Sequence, residues 1–348
     1  METLLGKTLT ELQNLVKDLG MPTFTAKQIF DWLYKKKVSS IDEMTNISQK
    51  HRSVIAGLTR NPLTVGRISP TQHQTSADGT IKYLFKTTGG HAIETVFIPD
   101  KDRATLCVST QAGCKMNCLF CTTGKQGFNG QLTAGEILNQ ILSIPESDQL
   151  TNLVFMGMGE PLDNTDEVLN VLDILTSEVG FAWSPKRITV SSVGIIPGLK
   201  RLLDESKVHV AISLHSPFPA ERLSLMPIEK ACPMLDVLDL VSHYDFAHQR
   251  RLSFEYICFG GLNDTPKHST ALAQLLRNIP YARVNLINYH PATGVNLPAS
   301  NPMAMVAFRD YLNGKGIIST IRASRGEDIL AACGMLSAVG KHQDSKKD

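Results

Sequence analysis

From residue 104 to residue 324 the chain alternates between two periods, and that alternation limits its fold more than any other feature. Seven apolar runs, ATLCVS, NLVFMG, RITVSS, HVAISLH, LSFEYICF, RVNLINY and ISTIRAS, read as strands, and a helical pattern fills nearly every gap between them. Repeated strand–helix–strand units give a parallel sheet with right-handed crossovers. Six or seven such units fit a full or partial barrel of the TIM kind, whose active site lies at the C-terminal ends of the strands. Local signals support the helices. In LTAGEILNQIL, Thr133 and Glu136 form a capping box, and Leu132 with Ile137 a hydrophobic staple. NTDEVLNVLDILTSEVG is predicted to open at Asn164 and close on Gly180.

Upstream the periods differ. Residues 1–62 read as helical, with Leu4, Leu5, Leu9, Leu12, Leu15 and Val16 at helical spacing. A second segment, TAKQIFDWLYKKK, ends in three lysines. They read either as a solvated helix end favoured by the dipole or as a contact to RNA phosphate. Residues 63–99 alternate polar and apolar positions, with turn signals at Asp78-Gly79 and Gly89-Gly90, and predict a small antiparallel sheet. The expected fold class is therefore α/β, a partial (βα)6 barrel over 100–338 carrying a C-terminal loop, with the helical segment and small sheet before it. Residues 339–348 read as a disordered tail.

Hydrophobic residues are 42% of the 348-residue chain, enough for a sizeable core, and the net charge of +2 does not by itself force a nucleic-acid reading. The N-terminal segment lacks the apolar run of a signal peptide, and no stretch of about 18 apolar residues predicts a membrane span. Seven cysteines, an odd number in a long chain, argue against a secreted disulfide framework and for a reducing cytoplasm.

Three of those cysteines lie in GCKMNCLFC, at 114, 118 and 121, directly after the first barrel strand. A closed zinc site needs four ligands. Only Cys118 and Cys121 form a CxxC pair, and the nearest other cysteine is Cys107, on the strand itself. A four-iron cluster normally takes one thiolate per iron. Three cysteines would leave one iron open, as a catalytic centre requires.

CxxxCxxC after the first barrel strand resembles the radical S-adenosylmethionine (SAM) superfamily. There the amino and carboxylate groups of SAM chelate the fourth iron, which makes the cosubstrate the fourth ligand. LCVSTQAGCKMNCLFCTTGKQGF, MGMGEPL, SLHSP, MPI and AACG together resemble the RlmN/Cfr family of radical RNA methyltransferases, across essentially the whole chain. GKQGF and Pro161 in MGEPL are similar to the RlmN side of that family.

The resemblance assigns roles that the residues alone do not. Without it, Cys107 and Cys333 read as small core hydrophobes, Glu94 as an ordinary strand-edge carboxylate, and MGMGEP as a glycine-bearing turn. With it, Cys333 of AACG is the cysteine that one SAM methylates, and Cys107 of LCVS closes a transient disulfide with it to release product. Such a bond needs Cα atoms within about 7 Å. The chemistry explains the carrier. Carbon 2 of adenine is electron-poor and so is the methyl of SAM, so direct displacement fails. In the family a second SAM is cleaved with an electron from the cluster, and a protein-bound methylene radical adds to the base. Glu94 in AIETVFIPD matches the family's proton acceptor. Gly159, Glu160, Ser191, Ser213, Leu214 and His215 match its SAM contacts. His290 departs from the pattern, standing in NLINYHPATG where family members show asparagine.

Implied cofactors are one [4Fe-4S] cluster on Cys114, Cys118 and Cys121, and two SAM per turnover. Implied substrates are 23S rRNA, at the peptidyl transferase centre, and tRNA, 3′ of the anticodon, each methylated at carbon 2 of adenosine. The target base has to leave its stack. The helical segment resembles the family's accessory RNA-binding domain, and Arg250, Arg251, Arg322 and Arg325 are candidate phosphate contacts. An electron donor such as flavodoxin or ferredoxin and a monomeric state are expected. Cys232 and Cys258 read as structural. Two alternatives stay open: methylation at carbon 8, as in the Cfr side of the family, and a non-catalytic iron–sulfur RNA-binding module, against which the cysteine pair stands.

Overall fold

Every one of the seven predicted strands forms. The computed structural model describes residues 2–57, 62–247, 250–291 and 295–337, so the tail predicted over 339–348 lies outside the described residues. In chain order, β1 (Glu2–Thr3) leads into α1 (Leu9–Asp18), α2 (Phe24–Tyr34) and α3 (Gln49–Ile55), and β2 (Leu63–Thr64) returns to pair with β1 in parallel. Next come β3 (Gln72–Thr75), β4 (Ile81–Lys86), β5 (Ala92–Asp100) and β6 (Arg103–Cys107). A hairpin of β7 (Gln111–Gly113) and β8 (Phe128–Gln131) encloses α4 (Thr122–Lys125). Then follow α5 (Ala134–Leu142), β9 (Asn152–Phe155), α6 (Thr165–Thr176), β10 (Ile188–Ser192), α7 (Ile196–Glu205), β11 (His209–Ser213), α8 (Pro219–Leu225) and α9 (Met234–Ser242). The chain closes with β12 (Leu252–Cys258), α10 (Pro266–Leu276), β13 (Arg283–Asn288), α11 (Pro302–Gly314) and β14 (Ile318–Arg322).

Among the described residues, β6, β9, β10, β11, β12, β13 and β14 pair in that order, all parallel. Each crossover carries at least one helix, which makes six βα units and a closing strand. The small antiparallel sheet does not stand apart as predicted. β5 and β6 are joined by the two-residue turn Lys101-Asp102, with Lys101 in the left-handed region at φ 49°. That hairpin pairs β6 antiparallel to β5, so β3–β4–β5 continue the barrel sheet into one of ten strands. β6 thus has both edges occupied, by β5 and β9, and β14 finds no partner to close the ring.

Side-chain alternation then decides what the lumen holds. In β9, β10 and β13 the positions facing the helices are buried and apolar: Leu153 and Phe155, Ile188 and Val190, Val284 and Leu286. Positions facing inward are Thr105 and Cys107, Asn152 and Val154, Thr189 and Ser191, Ser213, Glu255 and Arg283. Small and polar residues take the place of the branched apolar layers that plug a TIM barrel. The result is a cavity of about 910 Å³.

Two local expectations need correction. Leu4 and Leu5 lie before the first helix, not in it. Their N–H groups donate to Thr64 O and Val65 O at 2.8 and 3.0 Å, extending the β1–β2 ladder, and α1 starts after a Thr8–Glu11 capping box. α6 ends at Thr176, short of Gly180, and Asn164 spends its side-chain amide on Thr110 O and Leu132 O instead of capping α6. The Thr133–Glu136 capping box forms as predicted. Of the lysine run, Lys36 lies 3.6 Å from the Trp32 ring centroid and pairs with Asp31, and Lys37 pairs with Asp148.

The N-terminal helices are fastened to the barrel by backbone contact. Gly6, at φ +95°, and Gly135 of α5 pass so closely that a Cβ on Gly6 would stand 2.3 Å from Gly135 N, and one on Gly135 2.5 Å from Leu5 O. Tyr34 of α2 accepts from Gly6 N and donates to Lys7 O. Arg67 reaches Lys37 O and Ser143 Oγ, both at 2.8 Å. Gly6→Ala is expected to cost about 1–3 kcal/mol, from the unfavourable φ and the forced separation, and to lower Tm. An unchanged melting curve refutes this account of the junction.

Candidate active site

The cavity opens at the C-terminal ends of the barrel strands, and the predicted site residues converge on it. Cys107, Cys114, Cys118, Cys121, Gly159, Glu160, Ser191, Ser213, His215, His290 and Cys333 all line it. Glu94 and Leu214 do not.

The three-cysteine loop follows from tight backbone packing. Gly113, at φ +78°, would place a Cβ 1.9 Å from Gly127 O, and Cys114 N donates to that same oxygen at 2.9 Å. Asn117 takes φ 49°, Cys121 N donates to Cys118 O, and Cys121 caps α4. Burial pushes the Cys114 thiol up to about 12, with Cys121 and Glu160 adding to the effect. Burial raises Cys118 further, and Cys121 and Cys114 reinforce it. The three sulfurs therefore feel one another. Among the described residues no three His, Cys, Asp or Glu side chains close around a single ion. That geometry suits a cluster, in which each thiolate binds a different iron, and a metal deprotonates its thiol ligands outright. Cys114, Cys118 and Cys121 are the residues that would hold such a cluster, and all three line the cavity.

Glu160 sits where an ammonium group would be held. Its carboxylate accepts from Leu162 N (3.0 Å) and Val193 N (3.0 Å), bridging the turn after β9 to the end of β10. Burial raises it to about 7 against those hydrogen bonds. A bound cation would favour the ionised carboxylate that burial disfavours. Gly159, at φ +95°, lets the backbone press on Gln111, whose Oε1 accepts from Glu160 N. His215 takes φ 58°, and its Nδ1 accepts from Ile257 N at 3.0 Å. The ring therefore carries its proton on Nε2, and burial, followed by Arg222, lowers it to about 3. It is a neutral donor. His290 Nε2 lies 2.7 Å from Ser324 Oγ. Leu214 is fully buried, its carbonyl accepting from Arg222.

Cys107 ends β6, and burial first, then Cys333, pushes its thiol up to about 12. Cys333 is open to the cavity yet enclosed by protein, and this burial and then Glu255 raise its thiol. The two cysteines are thus neighbours, both free. The loop that bears Cys333 is tied to the cluster helix by Thr122 N to Gly334 O (2.8 Å) and Thr123 Oγ1 to Leu336 O (2.7 Å). It is tied to the antiparallel strands by Gly326 N to Asp78 (3.0 Å), Asp328 to Ser76 and Arg325 to Asp100. Glu94, on β5, is buried behind this loop, 3.1 Å from Lys82 Nζ and accepting from Ser337 N at 2.9 Å.

Some functional side chains left no readable signal. Arg222, fully buried, donates to the carbonyls of Val193, Ser213 and Leu214 and pairs with Glu229, so one guanidinium fixes the ends of β10 and β11. Of the arginines proposed for RNA, Arg250 is used internally, donating to Leu203 O and Ser206 O at the end of α7. Arg322 faces Glu255 and Cys333.

An open parallel barrel with three thiols on the loop after its first strand defines a radical SAM protein. Comparison with known proteins agrees: a family profile described as "Radical SAM superfamily" matches residues 108–273, and one described as "Ribosomal RNA large subunit methyltransferase N-terminal domain" matches 3–59. The "Probable dual-specificity RNA methyltransferase RlmN" of Parabacteroides distasonis is 59% identical over 97% of this chain and 96% of its own. The "Dual-specificity RNA methyltransferase RlmN" of Anaeromyxobacter dehalogenans is 40% identical over 97% and 92%. The crystal structure of a radical SAM methyltransferase from Sphaerobacter thermophilus superposes with a TM-score of 0.89 at 37% identity, over 97% of this chain and 100% of that one. The chain belongs to the RlmN family.

Asp78→Ala removes the carboxylate that receives Gly326 N. A hydrogen bond to a charged group contributes about 1.5–3 kcal/mol, so amides of 326–337 are expected to exchange roughly 10- to 100-fold faster, with β9–β11 unaffected. Equal exchange in both segments rejects the anchoring role.

Proposed function

We propose that this protein methylates carbon 2 of adenosine in 23S rRNA and in tRNA 3′ of the anticodon, by way of a methyl carried on Cys333. The convergence of Cys107, Cys333 and the three loop cysteines on one cavity carries this reading, and family membership supports it. When bound, the cluster and SAM supply electrons, an electrophilic methyl group and a carbon-centred radical.

The chain's own residues do the rest. Glu160 and the neutral His215 receive the polar ends of SAM, with Ser191, Ser213 and the Leu214 backbone along the strand ends. Gly159 permits close approach, and His290 holds the Cys333 loop through Ser324. Cys333, on a loop and open to the cavity, can face both SAM and a base. Cys107, fixed on a strand, stays in place to attack the Cys333 sulfur and release the RNA. Glu94 serves as base in the RNA step once the segment bearing Ser337 lifts from it, because its carboxylate otherwise faces Lys82 and Ser337 N–H. The N-terminal helices hold RNA, an acidic reductant such as flavodoxin or ferredoxin supplies electrons, and the chain works as a monomer in the cytoplasm. Among the described residues no helix is long and apolar enough to cross a membrane.

The test uses protein purified without oxygen, reconstituted with iron and sulfide, and given methyl-labelled SAM with 23S rRNA or tRNA. Nucleosides are then identified by mass spectrometry. Labelled 2-methyladenosine is expected, and none from Cys333→Ala. Label in 8-methyladenosine would move the chain to the carbon-8 alternative. No labelled nucleoside from a fully loaded protein favours the binding module. Cys118→Ala is expected to lose most bound iron and the visible absorbance of the cluster while keeping the wild-type far-UV dichroism; undiminished iron overturns the ligand assignment.

A further inference from the structure

Glu255 is a buried carboxylate with no part in the scheme above. It stands on β12 in register with Ser213 of β11 and Asn285 of β13, and Asn285 is in register with Thr320 of β14. Its Oε1 accepts from Asn285 Nδ2 at 2.7 Å and Ser253 Oγ at 2.9 Å. Thr320 Oγ1 donates to Asn285 Oδ1 at 3.0 Å, which turns the amide NH₂ toward Glu255. Among the described residues no donor is bonded to Glu255 Oε2. The side chain is only 5% exposed, and lines the same cavity as Cys333 and Arg322.

The cavity offers three carboxylates, Asp100, Glu160 and Glu255. Asp100 is paired with Arg103 and Arg325, and Glu160 with two backbone N–H groups. Glu255 keeps a free oxygen. Its charge and that of Arg322 act on the Cys333 thiol in opposite directions, and burial raises the Glu255 carboxyl, with Arg322 restraining it. A thiol raised above its usual range has little thiolate at neutral pH, and displacement at a sulfonium needs the thiolate.

We propose that Glu255 accepts the thiol proton of Cys333 as that sulfur takes the methyl group of SAM. This rests on the reading of Cys333 as methyl carrier. The Cys333 S–H bond breaks, and the proton passes to Glu255 Oε2. The electron pair left on sulfur forms the new S–CH₃ bond. The methyl–sulfonium bond breaks with its pair going to the donor sulfur, which becomes a neutral thioether. No oxidant or reductant is consumed, so this step is separable from the RNA step served by Glu94.

The experiment follows methyl-labelled SAM into the Cys333 peptide of cluster-loaded protein, without RNA or reductant, in single turnover from pH 6.5 to 9.5. The wild-type rate is expected to vary little with pH, because a fixed carboxylate and not hydroxide takes the proton. Glu255→Gln is expected to be about 100-fold slower or more at pH 7 and to climb about tenfold per pH unit as hydroxide takes over, with SAM affinity unchanged. Arg322, Cys107 and Cys121 act on Cys333, and His290 and Glu160 line the same cavity; all are the same in both proteins and cancel in the comparison. Iodoacetamide labelling of Cys333, read on the same peptide, is expected to show the same contrast of slopes without any SAM. Parallel profiles, or equal rates, overturn the proposal alone. A wild-type protein that takes no methyl on Cys333 overturns the carrier reading and this inference with it. Asn285→Ala provides a second variant: losing that donor raises the Glu255 carboxyl, so the rate is expected to fall at the acid end of the range where wild type stays level, and a profile identical to wild type counts against Glu255.

Discussion

The double pairing of β6 governs the rest of the molecule. One edge runs antiparallel to β5 and the other parallel to β9, so the hydrogen-bonding capacity of this strand is spent before β14 could reach it. A ring of parallel strands that cannot close must either fill its lumen or leave it wet. The inward positions mix threonine, serine, cysteine and charged side chains with Val154, Ile257 and Ile287, and water solvates the polar ones as an apolar plug would not. An open barrel with a polar lumen gives room for a large cosubstrate and a nucleobase together. The same hairpin brings Glu94 on β5 and Cys107 on β6 to one end of the sheet, at the seam where the C-terminal loop folds over.

The chemistry of the thiols follows from where the strands place them. Burial raises Cys107, Cys114, Cys118 and Cys333 above the ordinary thiol range, so none is a ready nucleophile as it stands. Each needs a charge brought to it. For the loop cysteines the iron of the implied cluster would supply it. For Cys333 the neighbours are Glu255 and Arg322, of opposite sign. For Cys107, burial and the neighbouring Cys333 both raise the thiol, which suits the last-acting role proposed for it. Different activators for chemically identical groups keep the steps in order.

Much of this was legible in the chain, for identifiable reasons. A parallel strand buried on its helix-facing side writes a dense apolar run, and all seven runs became strands. Cys114, Cys118 and Cys121 carry a local spacing that survives any tertiary arrangement. Contacts between distant segments are different. Nothing in AIETVFIPD announces that β5 would pair with β6 and join the small sheet to the barrel, because the deciding element is a two-residue turn with a lysine in the left-handed region. Leu4 and Leu5 kept helical spacing by coincidence of a short strand abutting a helix. Arg222 and Glu255 look like solvated charges in sequence, and only the fold reveals that one is sealed among carbonyls and the other aimed into a cavity. Gly180 promised a helix end that Thr176 had already supplied.

Why the carrier cysteine sits on a loop while its partner sits on a strand follows from what each has to reach. In the role proposed above, Cys333 meets a sulfonium, then a base in RNA, then Cys107, and these cannot occupy one place. A strand residue has a fixed direction, whereas residues 323–337 are held by a few discrete bonds to Asp78, Ser76, Glu94, Thr122 and Thr123. Those bonds come from opposite sides, from the antiparallel strands and from the helix that follows the three cysteines. The side-chain amide of Gln126, just past that helix, also donates to Ser337 O, while Ser337 N donates to Glu94 on β5. The end of the segment that covers Glu94 is therefore pinned from both sides at once, and moving it has to break bonds of both kinds.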